Sequence, residues 1–236
     1  MMIKGKIINL NVGERFVYGE KNCIVLEHMD DGTLCMVLDE DFESKFGETN
    51  NFAESELRKK LNGEYLDEWV KFGAVKEDFV EMEVDLTAND GLNDYGKCRC
   101  FLAPRTCEQH RKYRKLIPNP DELEWTVTAY STESNKCSYD AYLVTSAGAL
   151  SIIYFSYGVY SAYGVRPLFK LNSESLVECE IKIKTEWDNG TVEDAISHLQ
   201  SAVDTLNQID GYEAEMSITL NVIKILEEKR EKTIEE

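Results

Sequence analysis

Between residues 23 and 38 an Asp-Gly turn signal separates two β-type runs: Cys23-Ile24-Val25-Leu26-Glu27-His28-Met29, then Asp30-Asp31-Gly32, then Leu34-Cys35-Met36-Val37-Leu38. Such a step between apolar runs is the strongest short-range sign of a hairpin, since the turn needs positive φ and each run needs a ladder partner. Arg15-Phe16-Val17-Tyr18, followed by turn residues from Gly19 to Asn22, adds a further run. The stretch from Ile7 to Leu38 is therefore predicted to be a small antiparallel meander.

Helical spacing comes next. Asn51-Phe52-Ala53-Glu54 has the spacing of a capping box, with Ser55 as the alternative cap, and Leu57, Leu61, Tyr65, Leu66, Trp69 and Phe72 recur at helical intervals. Two short helices are expected, about 52 to 61 and 64 to 72, with Gly63 near the break. Phe79 to Val84 reads as one strand, Asn89-Asp90-Gly91 as a loop, and Thr106 to Lys115 as a helix that Pro118 and Pro120 bring to an end. From Trp125 to Leu171 the chain reads as short strands and tight loops. Within it Tyr154, Tyr157, Tyr160 and Tyr163 recur every third residue among Ser, Ala and Gly, a period that suits neither strand nor good helix. A twisted loop displaying tyrosines fits better, and Tyr, Ser and Gly are the residues recognition loops use.

The last segment differs in kind. Val192, Ala195, Ile196, Leu199, Ala202, Val203 and Leu206 form an apolar stripe, Asp210-Gly211 breaks it, and a second run carries Met216, Leu220 and Ile223 with a neighbouring stripe through Ile225. Residues 186–236 are thus expected to form an αα-hairpin behind an α+β domain spanning 1–180. The wide apolar arc of its second helix either packs into the main domain or forms a homo-oligomer interface.

Composition bounds the function. With 43% hydrophobic residues a sizeable core can form, and no apolar run approaches the roughly 20 residues of a bilayer span. The N-terminus lacks the apolar stretch of a signal peptide, and seven cysteines without disulfide-framework spacing suit a reducing cytosol. A formal charge of −18 disfavours nucleic acid and anionic membrane as direct ligands. Such acid is either a solvating coat or the face for a protein partner with a basic surface. One basic island interrupts it: Lys97, Arg99, Arg105, Arg111, Lys112, Arg114 and Lys115, which either pair with the chain's own carboxylates or bind an anion.

Little here is catalytic in pattern. Cys98-Arg99-Cys100 and Cys107 lack the spacing of a zinc site, and the three histidines are scattered, so no metal or cofactor is expected. Cys107 and His110 share a helix face and are geometrically able to pair, although no local motif marks a nucleophile.

Four segments in order carry a resemblance. They are Val12-Gly13-Glu14-Arg15-Phe16, Ser55-Glu56-Leu57-Arg58-Lys59-Lys60-Leu61-Asn62-Gly63-Glu64-Tyr65-Leu66, the segment around Trp125, and Tyr163-Gly164-Val165-Arg166-Pro167-Leu168. Together, over roughly residues 7–172, they resemble an uncharacterised domain family of phages, prophages and Firmicutes that ends in a Gly-Val-Arg-Pro motif after a strand like Ala141 to Gly148 here. That family is similar to the C-type-lectin-like fold of formylglycine-generating enzymes and phage receptor-binding proteins. The resemblance implies a mixed α+β domain with short antiparallel strands, two or three helices and long loops, employed for binding. Glu124-Trp125-Thr126-Val127-Thr128-Ala129 departs from the Trp-Leu-Arg-Ser-Pro form frequent in the family, and the hairpin lies outside it. The cysteine chemistry of the formylglycine enzymes does not carry over, since Cys137 and Cys179 sit in no matching motif.

Trp125 is expected in the core, Arg166 against buried carbonyls or a core carboxylate, and Pro167 at an extended exit. The expected function is a non-enzymatic, cytoplasmic binding protein of phage or prophage origin, an antagonist of a host defence factor that handles nucleic acid. The alternative is a virion or tail module that binds a receptor or glycan through Tyr154, Tyr157, Tyr160 and Tyr163. An enzyme is a third class. The acid is uneven: residues 181–236 carry a net −7 against −11 for the 180 residues before them, which points to the hairpin and to the loop of Asp39, Glu40, Asp41 and Glu43 as places to meet a basic partner.

Overall fold

The computed structural model describes residues 2–152 and 158–180, together with Ile196, Ile223 and Lys224. Residues 4–179 form one compact unit; residues 1–3 with 180–236 form another, of which Ile196 and Ile223 are helical and buried. Tyr154, Tyr157 and the hairpin expected over 186–236, apart from the three positions named, lie outside the described residues.

The fold is mixed α+β, rich in strands. First come β1 (Met2–Lys6), β2 (Arg15–Tyr18), β3 (Lys21–Met29), β4 (Gly32–Val37) and β5 (Glu43–Lys45), then the helical stretch of α1 (Glu56–Lys60) and α2 (Leu66–Lys71). After it run β6 (Phe79–Val80), β7 (Met82–Asp85), β8 (Lys97–Cys100), β9 (Leu102–Ala103) and helix α3 (Cys107–Tyr113). The remaining strands are β10 (Glu124–Ala129), β11 (Ala141–Val144), β12 (Leu150–Ile152), β13 (Ala162–Gly164), β14 (Leu168–Leu171) and β15 (Leu176–Glu180). A large sheet has the order β1-β15-β2-β3-β4-β14-β6, with β9 also on β14; a second has the order β12-β11-β10-β13-β5; β7 and β8 make a separate ribbon.

The Asp-Gly hairpin forms as the sequence indicates. Met29 faces Gly32 at the closed end of β3 and β4, and Gly32 adopts φ 147 with its Cα against Leu171 O, where a Cβ would lie 2.5 Å away. Both faces of this region are covered. Ile24, Leu26, Leu34, Met36 and Leu168 meet Met82, Tyr113 and Ile117 in one apolar cluster. Phe169, of opposite parity to Leu168, packs edge-on to Trp69 at 4.9 Å, with Tyr18 and Phe79 around it.

The helical stretch departs from expectation. A 3-10 turn, Phe52–Glu54, is capped by Asn51, whose side chain accepts from Ala53 N; Ser55 separately caps α1 by accepting from Arg58 N at 3.0 Å. There is no break at Gly63, because α1 and α2 are joined by one wide π turn, Leu61–Tyr65. Asn62 explains the tolerance: its Nδ2 donates to Arg58 O and Leu102 O, and its Oδ1 accepts from Phe101 N and Leu102 N. That side chain ties the wide turn to β9.

The single strand expected from Phe79 to Val84 is two. Val80 pairs with Lys170 in the large sheet, whereas Met82 pairs with Cys100 in the ribbon. Phe79 belongs to the Trp69 cluster and Met82 to the cluster on the other face, so the ladder ends at Glu81 between them. Among the described residues no helix is long and apolar enough to cross a membrane.

Candidate binding surface

Three short elements bring the separately identified acidic loop and tyrosine segment together. β5 pairs antiparallel with β13, placing Glu43 opposite Gly164, Ser44 opposite Tyr163 and Lys45 opposite Ala162. Trp125, on β10, anchors this ribbon from below. It is 1% exposed, donates from Nε1 to Ser44 O at 2.9 Å, and takes Phe46 and Tyr163 edge-on at 5.2 and 5.0 Å. Tyr163 is therefore half-buried, packed against Trp125.

Beneath the Glu43 end lies a buried ionic cluster. Arg105 forks onto Glu124 with bonds of 3.0 and 3.1 Å, and Arg166 reaches the same carboxylate through Nε at 3.1 Å and a terminal nitrogen at 2.9 Å. Arg166 also donates to Pro118 O, so it serves both roles foreseen for it, while Val37 N bonds the carbonyl of Pro167 where the chain enters β14. Burial lowers the pKa of Arg105, opposed by the neighbouring Glu124. Two guanidiniums on one carboxylate leave positive charge, and Glu40 supplies a second acid 3.6 Å from Arg166. Glu40 is in turn held by Asp121 N. Around Arg166 a cavity of about 270 Å3 is lined by Glu40, Glu43, Asp121 and Glu122, all four exposed residues.

The rest of the acidic loop is engaged within the protein. Asp39 accepts from Asn22 N and Nδ2 at 2.8 Å each, and Asp41 pairs with Lys21 at 2.6 Å. Of the four carboxylates selected from sequence, Asp39, Glu40 and Asp41 are engaged by these bonds and Glu43 is exposed beside Asp121 and Glu122, which come from a segment the sequence did not single out.

The other end of the ribbon carries two aromatic rings. Tyr160 is 49% exposed and Tyr139 53%; their rings lie 6.4 Å apart at 31°. Each is set by main-chain bonds: Val159, fully buried, donates to Tyr139 O and accepts from Phe46 N and Gly47 N. Asn50, also fully buried, holds the loop bearing Tyr139, its Nδ2 donating to Ser131 O, Cys137 O and Asp140 O and its Oδ1 accepting from Tyr95 Oη. From Gly164 to Tyr160 is four residues, no more than about 14 Å of chain. Rigid exposed tyrosines beside a carboxylate-lined cavity combine the anchors and the charge used in protein recognition. Tyr139 and Asn50 escaped sequence reasoning, since neither belongs to a periodic pattern.

The residues with chemical potential elsewhere are buried. Cys107 Sγ lies 3.8 Å from Thr126 Oγ1, and burial pushes its thiol pKa up, whereas an activated nucleophile is shifted down. His110 Nε2 meets Gly148 O at 3.1 Å, and burial lowers its pKa. Cys100 is pushed up to about 12 by burial, with Cys98 adding to the effect. Among the described residues no group of three His, Cys, Asp or Glu side chains could hold a metal ion. In the basic island, Lys97 and Arg99 both meet Glu83, Arg105 meets Glu124 and Lys112 meets Glu27, which answers much of that charge internally. Compared with protein-family models, curated proteins and solved structures, the chain matches none.

Proposed function

We propose that this chain is a non-enzymatic protein-binding module whose partner presents a basic surface. The observation that carries the reading is the exposed Tyr139 and Tyr160 pair at one end of the β5 and β13 ribbon, with Glu43, Asp121 and Glu122 at the other. Aromatic anchors supply binding energy at low conformational cost, and the carboxylates supply orientation and partner choice. The net charge of −18 supports a basic partner, such as a host defence factor with a nucleic-acid channel. Phage or prophage origin, a C-type-lectin-like arrangement and a cytoplasmic setting follow the motif resemblance and belong to the same proposal, as does association through the C-terminal hairpin.

A second reading, a virion or tail module for a receptor or glycan, is favoured by the same two rings, since a sugar face stacks on exposed aromatics. Capture from host lysate at low and moderate salt, using wild type and the variants Tyr139→Ala/Tyr160→Ala and Glu43→Lys/Glu122→Lys, tests both. The first reading expects basic proteins that both variants lose and that salt releases. Salt-insensitive glycoprotein capture lost only in the tyrosine variant supports the second, and capture unchanged by either variant overturns the surface altogether.

A further inference from the structure

The ribbon of β7 and β8 contains two strands, so among the described residues each has an edge without a strand beside it. Met82 faces Cys100, Glu83 faces Arg99, Val84 faces Cys98 and Asp85 faces Lys97, and one step further Leu86 N donates to Gly96 O at 3.0 Å. Opposed residues in an antiparallel ladder alternate between pairs that exchange both bonds and pairs that exchange none. The bond from Leu86 N to Gly96 O sets the phase of the ladder, so Val84 with Cys98 and Met82 with Cys100 are the exchanging pairs. Glu83 and Asp85 fall between them, and their N–H and C=O groups point away from β8 along the open edge of β7.

That edge borders a groove. Cavities of about 460 and 510 Å3 share Met29, Leu34, Glu83, Val84 and Gln109, and so run together along the chain from Glu81 to Asn89. The groove's apolar lining comes from Leu34, Met82, Val84 and Leu168, all buried, with the half-exposed Met29 above them. Its charge is acidic by a narrow margin: Lys112 is answered by Glu27 and Lys170 by Asp31, Glu83 is shared by Arg99 and Lys97, and Glu81, Asp85 and Glu108 outnumber Arg111. Acid along an edge strand also opposes pairing with a second copy of the same edge.

We infer that this groove takes an extended basic segment of a partner protein, which adds to β7 as a new strand. Main-chain bonds at Glu83 and Asp85 hold it, every second side chain is apolar and enters the groove, and the intervening ones are basic and lie beside Glu81, Glu83 and Asp85. The site shares no residue with the Tyr139 and Glu43 surface and stands independently of it.

The probe is the capped peptide Lys-Val-Lys-Val-Lys-Val-Lys added to the full chain, with amide hydrogen exchange followed by NMR. The amides of Glu83 and Asp85 are expected to slow by about tenfold or more, as newly bonded groups do, while that of Val84, already bonded to β8, is unchanged. Of two peptides N-methylated on the valines or on the lysines, one is expected to bind about tenfold more weakly and the other as before, because alternate amides face β7. Glu81→Lys, an exposed change, is expected to weaken the parent peptide about threefold or more. Equal binding of the two methylated peptides, binding without protection at Glu83 and Asp85, or no binding at millimolar peptide overturns the proposal.

Discussion

Arg166 and Arg105 share one carboxylate, that of Glu124, and all three side chains are at most 3% exposed. Removing the acid leaves two buried cations facing each other. Glu124→Gln is therefore expected to cost about 3–5 kcal/mol in urea unfolding. The apolar triple variant Arg105→Met/Glu124→Leu/Arg166→Met is expected to lose less than Glu124→Gln alone, because no charge is stranded. A triple variant less stable than the single one would contradict this account.

Glu27 gives a pH signature. Its pKa is held below the ordinary carboxylate value by the bond from Lys112 first and from Tyr113 second. With the folded value below the unfolded one of about 4.3, its contribution is fully present above pH 4.3 and disappears as pH falls through the folded value. Tyr113→Phe is expected to raise the Glu27 pKa in an NMR titration and to make the acid loss less steep. The Glu27 side chain is 37% exposed, which limits the change in stability to about 0.5 kcal/mol.

Two glycines are expected to respond in opposite directions to alanine. At Gly32 a Cβ would lie 2.5 Å from Leu171 O on a backbone with φ 147, so Gly32→Ala is expected to destabilise by about 2 kcal/mol or more. At Gly63 nothing lies within 4 Å of such a Cβ, and Gly63→Ala is expected to stabilise the helical stretch by about 0.5–1 kcal/mol. Thermal melts of the two variants, moving to either side of wild type, check the pair.

Thiol labelling is expected to be selective. Cys137 is half-buried, whereas Cys23, Cys35, Cys98, Cys100, Cys107 and Cys179 are buried. A bulky thiol reagent on the native protein is expected to modify Cys137 first, with the others following only on unfolding, as peptide mapping over time would record. Early modification of Cys98 or Cys100 would show the ribbon opening.

What was legible in the sequence was local. The Asp30-Asp31-Gly32 turn announces its hairpin because turn and flanking runs lie within a few residues, and Ser55 announces α1 because a cap acts over three residues. The partnership of β5 with β13 is invisible from either strand, since residues 43–45 and 162–164 meet only through the tertiary fold. β10 is buried along its whole length, so it has no alternation to read, and Glu124 at its start looks like any surface acid until its two arginines arrive from Arg105 and Arg166. Tyr139 likewise comes beside Tyr160 on a loop that Asn50, distant in the chain, fastens.

The order of strands in the large sheet sets a schedule for synthesis. β14 lies between β4 and β6, and β15 lies between β1 and β2, so two late strands are inserted among six early ones. A nascent chain emerging from the ribosome cannot close this sheet until residues near 180 have cleared the exit tunnel. Until then the apolar edges of β4 and β2 stand open, which makes those intervals, rather than any weakness of the finished fold, the time when the chain most needs protection from aggregation.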